Sequence, residues 1–128
     1  LRAGLIRLRE RGVSTAIDDF GTGQTSLSMI SRLPVDYVKL DGSLLQADRP
    51  DLSRGLLEIG VKFAKLIGAA AIVEMVETKD DLDLAIAVGA EFVQGWYFGK
   101  PLDLREQNGK EPQVKGGAYP SAVPAVDQ

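Results

Sequence analysis

The sequence predicts an α/β protein of parallel strands with alternating helices, and three observations carry that prediction. Short β-rich apolar runs alternate with longer stretches of helical periodicity, a pattern that implies parallel strands joined by right-handed crossovers. Residues 69–73 are apolar without a break, as in a strand buried on both faces. Acidic, basic and amide side chains stand at the ends of the strand-like runs, the edge where strand-to-helix loops converge in such folds. Two architectures satisfy the pattern, an open doubly wound sheet or part of a barrel, and periodicity does not separate them. At 128 residues the chain is short for a closed eight-fold barrel, which takes about 250.

Taken in order, residues 1–11 place Leu1, Leu5 and Leu8 on one helical face, and Gly12 suits a left-handed cap. A strand is expected over 13–19, then the glycine-rich turn Phe20-Gly21-Thr22-Gly23, then a short helix over 25–32 that ends before Pro34. The second strand spans 35–40 and is followed by a loop through Pro50. A long helix over 52–67 presents Leu56, Ile59, Phe63 and Leu66 as its apolar stripe, and Gly68 ends it. The third strand covers 69–74. Thr78 can cap the next helix, whose first turn carries Asp80 and Asp81, favourable at the positive end of a helix dipole. That helix stops at Gly89, and the last strand runs over 91–95. From about Leu104 the pattern dissolves, and residues 105–128 are expected to form a flexible tail, too polar and interrupted to bury much surface.

Composition removes whole classes of chemistry. The chain has no cysteine and no histidine, so disulfides, thiol nucleophiles, a Ser-His-Asp triad and nearly every nitrogen- or sulfur-ligated zinc site are excluded. A metal here has to be held by oxygen, which favours Mg²⁺ or Mn²⁺. The net charge of −3 speaks against binding a nucleic acid polymer, which relies on Lys and Arg neutralising phosphates. The longest apolar run, 66–73, is interrupted by Gly68 and far too short to span a bilayer. No membrane contact is expected from this segment, and a cytoplasmic location follows, with any anchor lying upstream. The start at Leu1 gives the expectation of a fragment of a longer protein.

The polar residues are not scattered. Asp18 and Asp19 end the first strand, Lys39 and Asp41 the second, Glu74 and Glu77 follow the third, and Gln94 lies on the fourth. Successive strands delivering carboxylates, an ammonium and an amide to one rim point to oxygen-ligated metal chemistry on a phosphate ester. Two such metals can activate a water and stabilise the leaving oxygen of an in-line displacement, with Lys39 balancing phosphate charge or positioning the water. Taken singly, each residue has a plainer reading. Asp18-Asp19 suits a turn, and Lys39 suits a solvated strand end or a salt bridge. Glu77 suits a helix N-terminus, and Gln94 a buried amide satisfied by backbone. Asp36 and Asp41 are assigned to turn and loop structure, and Trp96, Tyr97 and Phe98 to rim packing before base stacking. Glu74, after five apolar residues, is hardest to dismiss, because a buried carboxylate needs a partner or a metal.

Four segments carry a family resemblance. Ala16-Ile17-Asp18-Asp19-Phe20-Gly21-Thr22-Gly23 resembles the DDFGTG signature of EAL phosphodiesterases. Leu33-Pro34-Val35-Asp36-Tyr37-Val38-Lys39-Leu40-Asp41 is similar to their LPxDxxKID strand, and Ile72-Val73-Glu74-Met75-Val76-Glu77-Thr78 to their EGVET segment. The stretch from Val93-Gln94-Gly95-Trp96 to Lys100-Pro101-Leu102 resembles the closing QGYYFGKPL. The motifs stand in order between Leu1 and Leu102, so residues 1–104 resemble the C-terminal half of an EAL domain, about the last four β/α units of a TIM-like (β/α)8 barrel.

The resemblance implies hydrolysis of cyclic di-GMP to linear pGpG with Mg²⁺ or Mn²⁺. It implies that Asp18 ligates one metal, Asp19 serves a second, and Lys39 hydrogen-bonds the attacking water or the phosphate. Glu74 would act at the metal site or as general base. Glu77 would anchor the loop that includes Asp19, and Gln94, with Gly95 and Pro101, would contact the substrate. The loop and helix after Asp19 would pair two copies and couple dimerisation to the metal site. Met75 stands where the family usually has glycine and is expected to press on the loop bearing Glu74. Gln24 replaces a residue that is often aromatic. The Glu-Ala-Leu strand and about half the metal ligands would lie upstream, which keeps open a degenerate module that binds the nucleotide or a protein without catalysis. Half a barrel leaves open strand edges and an uncovered apolar face, so self-association is expected.

Overall fold

Strand order decides between the two architectures. The computed structural model of the chain describes residues 1–21, 26–46 and 49–100. Strands β1 (Ala16–Phe20), β2 (Tyr37–Leu40), β3 (Ala70–Val73) and β4 (Phe92–Val93) form one parallel sheet in the order β1-β2-β3-β4. Every connection steps the same way across the sheet. A doubly wound sheet reverses direction at a switch point, whereas unidirectional right-handed crossovers generate a barrel wall.

The helices are α1 (Arg2–Glu10), α2 (Leu27–Ile30), α3 (Pro50–Leu66) and α4 (Lys79–Ala87). Alternate residues of the strands meet them: Val38, Leu40, Ala71 and Val73 are buried with Ile30 of α2, Leu57, Val61 and Ala64 of α3, and Ala85 of α4. Tyr37, Lys39, Ala70 and Ile72 alternate with these and are only half-buried. The apolar strands were expected to be covered on both faces. Among the described residues one face is covered, because a one-way winding puts all crossovers on the same side. The opposite face is the one a barrel turns inward.

Helix α3 corrects the expected stripe. Leu56, Ile59 and Leu66 are exposed, Ile59 by 63% and Leu66 by 83%, while Ser53, Leu57, Gly60, Val61 and Ala64 are buried. The physical reason is close approach. A Cβ on Gly60 would lie 2.7 Å from Leu40 Cδ2, so the small-residue face is the one that fits against the sheet. Pro50 opens α3 in its first turn, where its missing N–H costs nothing.

The ends of other elements also have local causes. The first strand starts at Ala16 and not at 13, because Asp36 Oδ2 accepts the Thr15 backbone N–H at 2.7 Å and Asp36 Oδ1 pairs with Arg9 Nη2 at 2.7 Å. Asp36 thus ties α1 to the start of the sheet. Asp41 caps the 3-10 turn Gly42–Leu44 by accepting from the Ser43 N–H at 2.8 Å. Thr78 and Asp81 form a reciprocal capping box on α4. Among the described residues no helix is long and apolar enough to cross a membrane. Pro101 and the expected tail, 105–128, lie outside the described residues.

Candidate active site

Asp18 and Asp19 are neighbours on a strand, so a regular pleat would send them to opposite faces. The register prevents that: Ile17 pairs with Val38 and Phe20 with Leu40, so three steps on β1 match two on β2. The extra residue is a bulge, a device that re-aims side chains. Asp19 sits at φ +53°, a left-handed conformation that aspartate tolerates better than most residues. Phe20 returns to the core, stacked on Phe63 at 5.1 Å. The two carboxylates consequently stay together, and one oxygen from each of Asp18, Asp19 and Glu74 lies within 4.8 Å of the others.

Lys39 emerges from β2 on the uncovered face and stands between these groups. Its Nζ is 2.8 Å from Asp18 Oδ1 and 2.7 Å from Glu74 Oε1. The hydrogen bond to Asp18, then that to Glu74, pushes the ammonium's pKa far above its ordinary value against a smaller opposing effect of partial burial. The same contact with Lys39 pulls the Asp18 carboxyl below its ordinary value. Lys39 is therefore a fixed cation at neutral pH, able to donate to a phosphate oxygen or a water and unable to serve as a base. Its plainer reading as a salt-bridge partner is met, and the partners are the metal-ligand candidates Asp18 and Glu74.

Glu74 follows β3 directly, its N–H donating to Leu40 O at 3.1 Å. Its side chain is 15% exposed, against 66% for Asp18, so the cluster has a sheltered wall and an open mouth. Beyond Glu74 the chain turns sharply through Met75, at φ +56°. The Met75 side chain lies over Gly42, where a Cβ would come 2.2 Å from Met75 Cβ. The turn is then pinned from the other side. Val76 N–H donates to Gln94 O at 3.1 Å, Tyr97 N–H donates to Val76 O at 3.0 Å, and a Cβ on Gly95 would lie 2.1 Å from Val76 O. Gly95 thus has a structural reason of its own, the close passage of two backbones.

Gln94, one residue past β4, is exposed and holds the ladder through its N–H to Val73 O at 2.9 Å. The alternative of a buried amide does not apply to it. Glu77 is exposed, and its N–H donates to Asp81 Oδ2 at 3.1 Å. The loop residues 22–25 that its carboxylate is expected to anchor lie outside the described residues.

Sequence reasoning missed two features. One is the bulge, which lies in the pairing of β1 with β2 and leaves no signal in either strand alone. The other is Trp96, assigned to rim packing but 58% exposed; of the three aromatics, Phe98 is the one packed against the core.

The donor set suits a hard divalent cation, since it is all oxygen and anionic, with an ammonium beside it that keeps the carboxylates from repelling one another. Comparison with known proteins agrees. Residues 1–101 match the family model described as the EAL domain. The cyclic di-GMP phosphodiesterase NbdA of Pseudomonas aeruginosa is 42% identical over 103 residues, covering 78% of this chain and 13% of that protein. The solved PaMucR phosphodiesterase, in complex with c-di-GMP, superposes with a TM-score of 0.74 at 27% identity over 82% of this chain and 47% of that one. The manganese/cy-diGMP complex of Klebsiella pneumoniae BlrP1 gives a TM-score of 0.66 at 30% identity, over 78% of this chain and 26% of that one. The chain therefore spans less than half the length of each of these proteins.

Proposed function

The chain belongs to the EAL-domain family, and on that premise we propose that it carries one side of a metal-dependent site that hydrolyses cyclic di-GMP to linear pGpG. The observation that carries this reading is the Asp18-Asp19-Glu74 carboxylate cluster with Lys39 held at its centre. The names of NbdA and PaMucR supply the substrate, and the manganese complex of BlrP1 supports the class of ion.

Asp18, Asp19 and Glu74 would hold Mg²⁺ or Mn²⁺, and the ion's contribution is Lewis acidity toward the phosphate and a lower pKa for water. Lys39 donates from a fixed position to a non-bridging phosphate oxygen or to the attacking water, stabilising charge that builds up in the displacement. Water oxygen bonds to phosphorus as the bond to the 3′ oxygen breaks, and that oxygen takes up a proton. Glu74 either completes the ion's ligand set or accepts the proton of the water. Gln94 and Pro101 would contact the dinucleotide, Gly95 would shape the backbone beside it, and Glu77 would steady the loop after Asp19. Residues 105–128 are left to a tail outside this domain.

We also propose that two copies pair through the loop and helix after Asp19. In support, Leu27 and Met29 of α2 are both more than half exposed, although apolar.

The test is cyclic di-GMP turnover with Mg²⁺ or Mn²⁺ by this chain beside its Asp18→Asn and Lys39→Met variants. Turnover that falls by at least about 100-fold in each, with the fold retained, is expected for groups acting on developing charge. A folded chain with no turnover of its own would mean that it holds metal-ligand positions without a working site, and the case for catalysis would rest on the upstream half. The binding-module reading is supported by Met75 against Gly42 beside Glu74.

A further inference from the structure

Left-handed backbone is disfavoured for any residue with a side chain, and where it persists the surroundings over-determine it. Among the described residues two without glycine's freedom adopt it, Asp19 at φ +53° and Met75 at φ +56°, and both belong to the carboxylate rim. Met75 directly follows Glu74, whose Oε1 lies 2.7 Å from Lys39 Nζ. Its side chain is laid over a glycine: a Cβ on Gly42 would stand 2.2, 2.6 and 2.7 Å from the Met75 Cβ, Cγ and Sδ. That floor is itself fixed. Asp41 N–H donates to Phe20 O at 3.1 Å, next to Asp19, and the Asp41 side chain caps the turn Gly42–Leu44. On the other side Glu74 N–H donates to Leu40 O and Val76 N–H to Gln94 O, both at 3.1 Å. A continuous line of contacts thus runs from the end of β1, through Asp41 and Gly42, to Met75 and the backbone of Glu74. Its two ends carry the three carboxylates that converge within 4.8 Å.

We propose that Met75 is a positioning residue: pressed against Gly42, its side chain fixes the turn after β3 and so holds the Glu74 carboxylate at its distance from Asp18 and Asp19. The role rests on reading these three carboxylates as metal ligands. A residue that orients a ligand without touching the ion commonly changes metal affinity about 10–100-fold. Glycine at position 75 adopts the same φ without strain, so the clamp can be removed while the fold is kept.

The test compares the chain with its Met75→Gly and Met75→Leu variants in two ways. Mn²⁺ affinity is read from the paramagnetic resonance signal of the free ion, and amide exchange at Glu74 and Val76 is read in metal-free protein. Met75→Gly should weaken Mn²⁺ binding about tenfold and speed exchange at both amides, with circular dichroism showing the fold kept. Met75→Leu, close to methionine in volume, should restore both toward the parent. A merely structural role would lower the melting temperature and leave the Mn²⁺ affinity of the folded chain alone. Equal affinity in parent and Met75→Gly therefore overturns the proposal. Tighter binding by the glycine variant overturns it too, since Met75 would then be a wedge that loosens the site. A parent chain that binds no Mn²⁺ sinks the metal reading, and the exchange rates then decide on the clamp by themselves: faster exchange in Met75→Gly upholds it, and unchanged rates overturn it.

Discussion

At neutral pH the Lys39 side chain carries a proton that two carboxylates hold in place, and this fixes its role as a donor. A second charged residue, Asp36, is bound up with the fold instead of the site. Its pKa is lowered chiefly by the Thr15 backbone N–H, with Arg9 adding to the effect. The native state therefore prefers its ionised form. Above the ordinary carboxyl value of 3.8 Asp36 is ionised folded or unfolded, and its contribution to stability is fully present. As pH falls, the unfolded chain takes up the proton first, and the contribution is lost as pH drops through the lower native value. Asp36→Asn should accordingly cost about 1–2 kcal/mol at neutral pH, as for a hydrogen bond to a charged group. It should also flatten the loss of stability as pH falls below the ordinary carboxyl value of 3.8. Urea unfolding of both proteins across that range reads this directly; acid limbs that run parallel would show that Asp36 does not hold α1 to the sheet through its charge.

Between elements, the connections after β2 and after β3 meet at one point, Met75 against Gly42. A Cβ added to Gly42 would fall 2.2 Å from Met75 Cβ, and neither backbone is free, since Glu74 N–H is paired with Leu40 O and Val76 N–H with Gln94 O. Gly42→Ala should cost about 1–3 kcal/mol, the range for overpacking. In a Met75→Gly background it should cost less than about 1 kcal/mol, because the obstacle is gone. Additive costs in that cycle, measured by denaturant unfolding, would place the two loops out of contact. The same comparison of elements explains what the sequence disclosed. The end of the third strand was legible because its apolar run stops abruptly at Glu74, and Asp18, Asp19 and Lys39 stand near the ends of the first two, so a shared rim could be inferred from chain order. The buried face of α3 was not, since pattern favours large residues and the sheet selected Gly60 and Ala64. Nor was the bulge that keeps Asp18 and Asp19 on one side, because it lies in the register between two strands, a quantity that one strand's sequence does not contain.

For the whole molecule, the sheet ends in β1 on one side and β4 on the other, with order β1-β2-β3-β4 and no closure among the described residues. Open edges carry unpaired N–H and C=O groups that template association. Two further surfaces are uncovered among the described residues: the face bearing Tyr37, Ile72 and Lys39, and the stripe of Ile59 and Leu66 on α3. Exposed apolar surface of this kind is rarely left bare. The site is also one-sided, since Asp18 is largely open to solvent while Glu74 is sheltered. Both facts predict a chain that self-associates in solution, and sedimentation velocity should show weight-average mass rising with concentration over the micromolar range. If the pairing runs through α2, Leu27→Ser with Met29→Ser should shift that curve to higher concentration by about tenfold, the loss of two apolar side chains from an interface. If it runs instead through the strand edges, the α2 pair will leave the curve in place. A mass that stays monomeric at every concentration would mean that one face of half a barrel can stand in water unaided, and the dimeric reading would fall with it.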